Sequence, residues 1–432
     1  MSPSERSPLL DGHPNGHSGS RISSFFKAEG EPTWVGSLRF LFFSSYFNLF
    51  LVFVPLSVIS HHLNWDAGLR FAFSFLAIVP LAKLLGESTE QLSMKLGETL
   101  GGLLNASFGN AVEIIVGVAA LVQGELRIVQ TSMLGSILSN LLLVLGMSFV
   151  SGQAYKPENV FQETAAQTSS SLMTLACFTL VIPAAYHSAK EANHPPFNKH
   201  VDDALSILSN LNSTKGDGGP PAPGGQSEPG LLVISRFTSI LLLLVYTAYL
   251  YFQLGSHADL FTKKKVDEHG EPIEEEEEEP SMSMVSAAIS LLAITVVTSF
   301  CADYLVASIE ETAEKYHIPK PFIGVVLIPL VSNAAEHVTA VWMAAKGKMD
   351  LTIGIAVGSS IQIAVFVIPL LVLVGWGIHQ PLTLYFSDFE TVSLFVSVLL
   401  VNLLVQDGKS NYMEGIMLIT LYLVIGAAFW VS

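Results

Sequence analysis

The sequence has only two cysteines among its 432 residues, Cys177 and Cys301, and both lie within apolar runs. Two cysteines are too few for a disulfide framework or a cysteine metal cluster, so we interpret them as buried thiols. The sequence also has no His-Glu-x-x-His spacing, no Gly-rich phosphate loop and no ATP-binding signature. These absences argue against an enzyme, a bound cofactor and an ATP-driven machine.

Charge is also scarce, because only 13% of the residues are charged while half are apolar. The mean hydropathy is +0.51. Such sparse charge cannot coat a soluble protein of this length. Apolar segments of about 20 residues recur along the chain and do not alternate like barrel strands, which predicts membrane-spanning helices in a lipid bilayer.

The apolar segments predict eleven spans. We place them at residues 36–60, 69–86, 99–123, 126–150, 167–187, 231–255, 283–306, 320–345, 350–376, 389–405 and 412–431. The corresponding units are a tail at 1–33, a first transmembrane helix at 34–66, a first repeat at 67–255, an acidic linker at 256–282 and a second repeat at 283–432.

The polar segments carry two further signals. Residues 1–33 are rich in Ser, Pro, Gly and His, which predicts a disordered tail. Within it, Glu5 to Leu10 looks like an acidic dileucine signal that would bind a sorting adaptor on the cytosolic side. Basic residues near the first span favour a cytosolic N-terminus.

Much of the net charge of −16 is concentrated in one run, so no nucleic-acid partner is expected. The run consists of Glu274, Glu275, Glu276, Glu277, Glu278 and Glu279.

Two carboxylates interrupt the apolar spans. Glu113 ends the motif Gly109-Asn110-Ala111-Val112-Glu113, and Glu336 ends Ser332-Asn333-Ala334-Ala335-Glu336. A charge inside the membrane costs at least about 2.5 kcal/mol on insertion scales, so it marks a functional site or a paired group. Each Asn precedes its Glu by three residues and so shares its helix face. Gly109 and Pro329 are candidate causes of local helix breaks.

The two motifs are related by an offset of 223 residues. The same offset pairs Glu87 with Glu310, Gly135 with Gly358, Ser136 with Ser359, and Ser139 with Gln362. Five spans in each unit force the second unit into the opposite orientation, which predicts an inverted repeat with its site near the bilayer midplane. The predicted fold class is therefore an all-α polytopic membrane protein with one peripheral first helix and two inverted five-helix repeats.

Four stretches resemble the cation/proton exchangers of the Ca2+/cation antiporter superfamily and are close to fungal vacuolar Ca2+/H+ exchangers. They are the two motifs with His337, the acidic run, and Gly358-Ser359-Ser360-Ile361-Gln362. The resemblance implies that cytosolic Ca2+ is exchanged for lumenal H+ across the vacuolar membrane, with Glu113 and Glu336 as the shared cation and proton site. The family's second motif often begins with Gly, where this chain has Ser332.

The residue types suit this chemistry. Ca2+ takes six to eight oxygen ligands; two glutamates supply up to four, and the amides of Asn110 and Asn333 are further candidates. Without the cation, two like charges would lie close together in a low dielectric, so protons are natural replacement ligands. His337 is a candidate proton relay, with a packed histidine as the alternative.

Other polar residues have more than one interpretation. Ser136, Ser139, Ser359 and Gln362 could line the pathway or simply join helices. Glu87 and Glu310 could concentrate cations at the vestibules or be solvated charges. The acidic run could bind regulatory Ca2+ or be an inert solvated strip.

Three functional alternatives remain open on the sequence. They are a Na+-coupled exchanger, an exchanger that transports Mn2+, and a passive cation channel. An inverted repeat favours alternating access over a channel. Self-association as a homo-oligomer is left open.

Overall fold

The computed structural model describes residues 32–153, 158–193, 229–257 and 280–431. The predicted sorting signal at Glu5 to Leu10 and the run from Glu274 to Glu279 lie outside these residues. Within them, eight helices are long and apolar enough to cross a membrane, and three bent helix pairs raise the number to eleven if each pair is one span. The predicted helical membrane fold with eleven spans is therefore confirmed.

The α-helices follow the predicted order of spans. They are α1 (Trp34–Phe43), α2 (Phe53–His62), α3 (Ala67–Phe108), α4 (Ala111–Val122), α5 (Leu126–Leu138), α6 (Leu145–Gly152), α7 (Glu163–Asn193), α8 (Pro229–Tyr251), α9 (Met284–Tyr316), α10 (Lys320–Phe322), α11 (Ile328–Ser332), α12 (Ala334–Ala345), α13 (Met349–Gln362), α14 (Ile368–Gly377), α15 (Asp388–Val405) and α16 (Tyr412–Val431). Wider π-helical turns extend or join several of them, at Ser139–Val144, Phe252–Ser256, Ile323–Leu327 and Ile363–Val367.

Two short strands join loops of the two repeats. The strand β1 (Asn159–Val160) pairs antiparallel with β2 (Lys409–Ser410), and Asn159 lies opposite Ser410. The pairing connects the segment before α7 with the segment before α16. It satisfies backbone groups at one end of the bundle.

The first span differs from the single helix predicted at 34–66. Its two halves are bent by 88°, with a 3-10 turn at Tyr46–Val52 between them. The extended backbone of Ser45 ends the first half, and the Asn48 side chain donates to the Leu41 carbonyl over 2.8 Å. This side-chain bond replaces backbone pairing that the bend removes. The span packs mainly against α3 and α9, in agreement with its predicted peripheral position.

The second and seventh spans are longer than hydropathy predicts. Ala67–Gly97 contains 31 residues and Met284–Tyr316 contains 33. Their polar ends stay helical because the side chains find partners; for example, Thr89 donates to the Leu85 carbonyl over 2.8 Å. The second span ends where Gly97 adopts a φ of 79°, a value that glycine tolerates and other residues avoid.

The backbone repeats at the offset read from the sequence. Helices α4 and α12 have 12 residues each and begin 223 residues apart. Both are followed by a glycine of positive φ, 78° at Gly124 and 75° at Gly347. The next helices, α5 and α13, again begin at matched positions, and each leads into a π-helical turn. The internal repeat is therefore structural and not only a pattern of letters.

Packing differs between the two copies of one glycine. A Cβ on Gly135 of α5 would lie 2.2 Å from the Val325 carbonyl oxygen, whereas a Cβ on its repeat partner Gly358 would meet nothing within 4 Å. In the first repeat, glycine lets α5 approach the backbone of the Ile323–Leu327 turn. This close approach is typical of small residues between membrane helices.

We expect Gly135→Ala to destabilise the protein and Gly358→Ala to leave its stability at or slightly above the original level. Overpacking costs about 1–3 kcal/mol, while alanine in an uncrowded helix is preferred over glycine. Thermal unfolding in detergent, followed for both variants, measures the difference. Equal unfolding midpoints would contradict the asymmetric packing.

Candidate functional site

The two motif glutamates lie in the first turns of repeat-related helices. Glu113 is the third residue of α4 and Glu336 is the third residue of α12. Each helix follows a bend, 43° before α4 and 60° before α12. The unpaired N–H groups at a helix start favour a nearby negative charge. The bends therefore place each carboxylate where the helix end partly offsets its charge.

The motif asparagines stand at the bends. Asn110 has φ −106° and ψ 34°, and Asn333 has φ −90° and ψ 9°. Neither side chain caps the helix that follows, so both amides are available to other groups. The first break adjoins Gly109, as expected, whereas the second lies four residues after Pro329. Pro329 instead follows the π-helical turn at Ile323–Leu327, because proline cannot supply the N–H of a regular turn.

The structure brings the two carboxylates close enough for their charges to interact. Glu113 is 3% exposed, and Glu336 is partly buried. Among the described residues, no lysine or arginine forms an ion pair with either glutamate. Within the described ranges, the two acidic groups are therefore not neutralised by an ion pair with a basic side chain.

Ser359 connects the two motifs. Its Oγ lies 2.8 Å from Asn110 Oδ1 and 3.1 Å from Glu336 Oε1. A serine hydroxyl has one proton, so it can donate to only one of these oxygens at a time. Asn110 also donates through Nδ2 to Gln362 Oε1 over 2.6 Å. The first motif is therefore held against α13 of the second repeat.

Asn140 belongs to the same network, although the sequence analysis did not single it out. Its Nδ2 lies 3.0 Å from Glu336 Oε2 and 3.1 Å from Ser359 Oγ, and its Oδ1 accepts from Asn333 Nδ2 over 3.3 Å. The offset of 223 pairs Asn140 with Ile363, so a search for matched polar residues passes over it. The available signal was an amide beside Ser139 inside an apolar span.

This mismatch makes the two carboxylates unequal. Glu336 has donors in Asn140 and Ser359, whereas Glu113 has the apolar Ile363 at the position that matches Asn140. Ser332 lies beside the Glu113 carboxylate, and Glu113 Oε1 is buried with no hydrogen-bond partner among the described residues. An orphaned buried oxygen is costly unless a ligand or ion satisfies it.

The other matched polar residues lie next to this network. Ser136 contributes its backbone carbonyl, which accepts from Asn333 Nδ2 over 3.4 Å. Ser139 is 2.9 Å from Nε2 of His337, which is 7% exposed. His337 is therefore packed and hydrogen-bonded beside the carboxylate site, as its alternative interpretation requires; this contact does not test a proton relay.

Glu87 and Glu310 have partners elsewhere. Glu87 pairs with Lys83 and accepts from Ser44, and Glu310 accepts from Lys320 over 2.7 Å. In the described part of the chain, no hydrogen bond joins either of them to the motif glutamates. Their predicted role at the vestibules stays a prediction.

The atoms that could bind a cation at this site are carboxylate, amide and hydroxyl oxygens. They come from both repeats and belong to the two motif glutamates, to the amides of Asn110, Asn333 and Asn140, and to the hydroxyls of Ser332 and Ser359. Oxygen ligands suit hard cations such as Ca2+ and Mn2+, while soft metals prefer sulfur. No group of three or more His, Cys, Asp or Glu residues able to hold a metal occurs in the described residues, so neutral oxygens would have to complete a cation shell.

The chain is similar to known transport proteins over nearly its whole length. The sequence profile of the family described as sodium/calcium exchanger protein matches residues 66–255 and 286–431. A vacuolar calcium ion transporter of Schizosaccharomyces pombe is 46% identical over 427 residues, which cover 99% of this chain and 93% of that protein. Vacuolar cation/proton exchanger 3 of Oryza sativa subsp. japonica is 40% identical over 398 residues, covering 91% of this chain and 88% of that protein.

A solved structure shows the same fold. The structure of native YfkE superposes with a TM-score of 0.70 at 32% sequence identity, covering 89% of this chain and all of that one.

We expect Asn140→Ala to weaken Ca2+ binding about tenfold, since the loss of the buried amide removes the donor to Glu336 Oε2 and one acceptor of Asn333 Nδ2, at a cost of about 1–3 kcal/mol. The measurement is the rise of the thermal midpoint with Ca2+ concentration. Asn402→Ala is a matched control because Asn402 bonds Ser170 and Thr174 in another helix contact. The control should unfold earlier but keep its full Ca2+ response; equal Ca2+ responses in the two variants would contradict a specific part for Asn140.

Proposed function

The chain belongs to the sodium/calcium exchanger protein family, and on this premise we propose that it is a secondary active antiporter that exchanges cytosolic Ca2+ for lumenal H+ across the vacuolar membrane. The observation that carries the proposal is the pair of neighbouring motif carboxylates, with Ser359 connecting Glu336 to Asn110 of the first motif. Relatives described as a vacuolar calcium ion transporter and a vacuolar cation/proton exchanger support the cargo, the counter-ion and the location.

The hydroxyl of Ser359 couples proton and cation at this site. When Glu336 carries a proton on Oε1, it can donate a hydrogen bond to Ser359 Oγ, and Ser359 then donates its own hydrogen bond to Asn110 Oδ1. When Glu336 is ionised, Ser359 donates to the carboxylate instead. Asn110 Oδ1 then has no donor from Ser359 and becomes a free oxygen ligand. Loss of the proton from Glu336 thus gives the site a negative charge and frees Asn110 Oδ1 as a neutral ligand for Ca2+.

The two glutamates have different parts in this scheme. Glu336 is oriented by Asn140 and Ser359 before any ion arrives, while Glu113 has one oxygen without a hydrogen-bond partner among the described residues. That oxygen can accept a proton or face a cation without first breaking a hydrogen bond. Occupancy by either ion removes like-charge repulsion between the two carboxylates, so the two ions compete for one site.

Transport measurements test the class of protein directly. Radiolabelled Ca2+ uptake should occur in proteoliposomes with an acidic interior and should stop when a protonophore collapses the gradient. Uptake driven by a Na+ gradient would instead show that the counter-ion is Na+ and not H+. Flux that needs no opposing ion gradient would indicate a channel, and competition by Mn2+ would identify a second cargo.

We expect Glu113→Gln and Glu336→Gln each to lower this uptake by more than about a hundredfold, because either change removes one charge and one exchangeable proton from a two-carboxylate site. The control is Glu158→Gln, whose side chain is 60% exposed and pairs with Lys409 at the surface. Near-normal uptake by either motif variant would rule out the shared site.

We also propose that Ca2+ binding to Glu274–Glu279 regulates transport. The support is the attachment of the residues that follow the run: the N–H groups of Ser281 and Met282 donate to Gln91 Oε1 over 2.7 and 3.0 Å. Gln91 lies on the second span, six residues before the break at Gly97. A change in the run can therefore be transmitted to the start of the first motif helix.

Replacing all six glutamates by glutamine should shift the Ca2+ dependence of uptake without abolishing uptake, since the carboxylate site is untouched while the acidic field is removed. Initial rates over a range of cytosolic-side Ca2+ concentrations measure this shift. Gln91→Ala should shift the curve in the same direction. A curve that stays in place for the six-residue variant would leave the run without a regulatory part.

A further inference from the structure

Tyr246 of α8 contacts both segments that form the Asn110–Gln362 hydrogen bond. Its Oη donates to the Ala106 carbonyl over 3.1 Å, and its ring stacks on Phe366 with 5.0 Å between centroids. Ala106 lies four residues before Asn110, and Phe366 lies four residues after Gln362. One buried side chain, 4% exposed, thus brackets this contact about one helical turn away on each side.

The Ala106 carbonyl needs this external donor because of the helix break. In the second motif, the N–H of Asn333 donates to the carbonyl of Pro329 over 3.0 Å, and Pro329 is the repeat partner of Ala106. In the first motif, the described backbone bonds include none from Asn110 to Ala106. A buried carbonyl without a donor is destabilising, so the Tyr246 hydroxyl replaces the backbone bond that the break removes.

The same span holds the short helix before the first break at a second point. A Cβ on Gly102 would lie 2.6 Å from a methyl group of Leu254, and Gly102 and Ala106 share a helix face because they are four residues apart. The segment Leu100–Phe108 therefore docks on the sixth span through this face. Its repeat counterpart instead approaches α5 through Gly135.

We propose that Tyr246 is a positioning residue of the exchange site, which sets how Asn110 is presented to Gln362 and Ser359. Because Tyr246 contacts both Ala106 and Phe366, it holds the segments that carry Asn110 and Gln362 in a fixed position relative to each other. Asn110 Oδ1 then meets Ser359, which in turn reaches Glu336. This inference rests on the proposed antiport, because it concerns the cation ligand set of that site.

The test is Tyr246→Phe, which keeps the ring on Phe366 but removes the donor to Ala106. The KM for Ca2+ in proton-driven uptake should rise about two- to tenfold, the factor for one lost hydrogen bond, with the maximal rate nearly unchanged. Tyr251→Phe is the matched control, since Tyr251 ends the same helix and is 73% exposed. Phe366→Leu, which removes the ring contact and keeps the hydroxyl, should raise KM in the same way.

Thermal unfolding without Ca2+ separates positioning from folding. If Tyr246→Phe leaves KM at the original value, or lowers only the amount of folded protein and the maximal rate, the positioning part is overturned. The same holds if Tyr251→Phe raises KM equally. Failure of the unmodified protein to exchange Ca2+ for H+ would instead overturn the proposed antiport, so the two failures are distinguishable.

Discussion

Two carboxylates lie inside the helical bundle with no ion-pair partner among the described residues, and most features of the site follow from this arrangement. A single buried charge is costly in a membrane, and two like charges in one site repel each other as well. Among the described residues, no lysine or arginine neutralises Glu113 or Glu336. In the described part of the chain, helix ends, amides and hydroxyls surround the two carboxylates instead, an arrangement that leaves room for the exchangeable positive ion of the proposed antiport.

The helix breaks meet part of this need but create another. Interrupting two spans at Asn110 and Asn333 provides N-terminal helix ends beside the glutamates, yet each break also disturbs backbone pairing within the membrane. The second motif keeps its pairing through Asn333 and Pro329, whereas the first obtains a donor from Tyr246. Side chains near the two motifs thus replace part of the backbone hydrogen bonding that the bends remove.

The two repeats are alike in backbone and unlike in chemistry. Their helices begin at matched residues, but the repeat position of Asn140 is occupied by Ile363. Likewise, Gly135 is tightly packed, whereas a Cβ on its repeat partner Gly358 would meet nothing within 4 Å. Because of these differences, Glu336 accepts hydrogen bonds from Asn140 and Ser359, whereas Glu113 Oε1 has no hydrogen-bond partner among the described residues. A repeated backbone architecture thus carries two carboxylates with different hydrogen-bonding environments.

The amino-acid sequence alone predicts the membrane class, the eleven spans, the repeat and the two motif glutamates. These follow from local properties, since hydropathy, spacing and a carboxylate in an apolar run are visible without any contact map. It did not show the 88° bend of the first span, the extension of the second and seventh spans, or the place of the second break at Asn333 rather than Pro329.

Which polar groups meet depends on how the helices pack in three dimensions. Asn140 joined the site and Glu87 paired with Lys83 because contacts between helices depend on the rotation and depth of each helix, and one chain's spacing does not specify these. The same holds for Tyr246, whose partner is a carbonyl more than a hundred residues away that no side-chain motif marks. Local properties of the sequence mark the two motif carboxylates, whereas packing between distant helices determines which polar groups surround them.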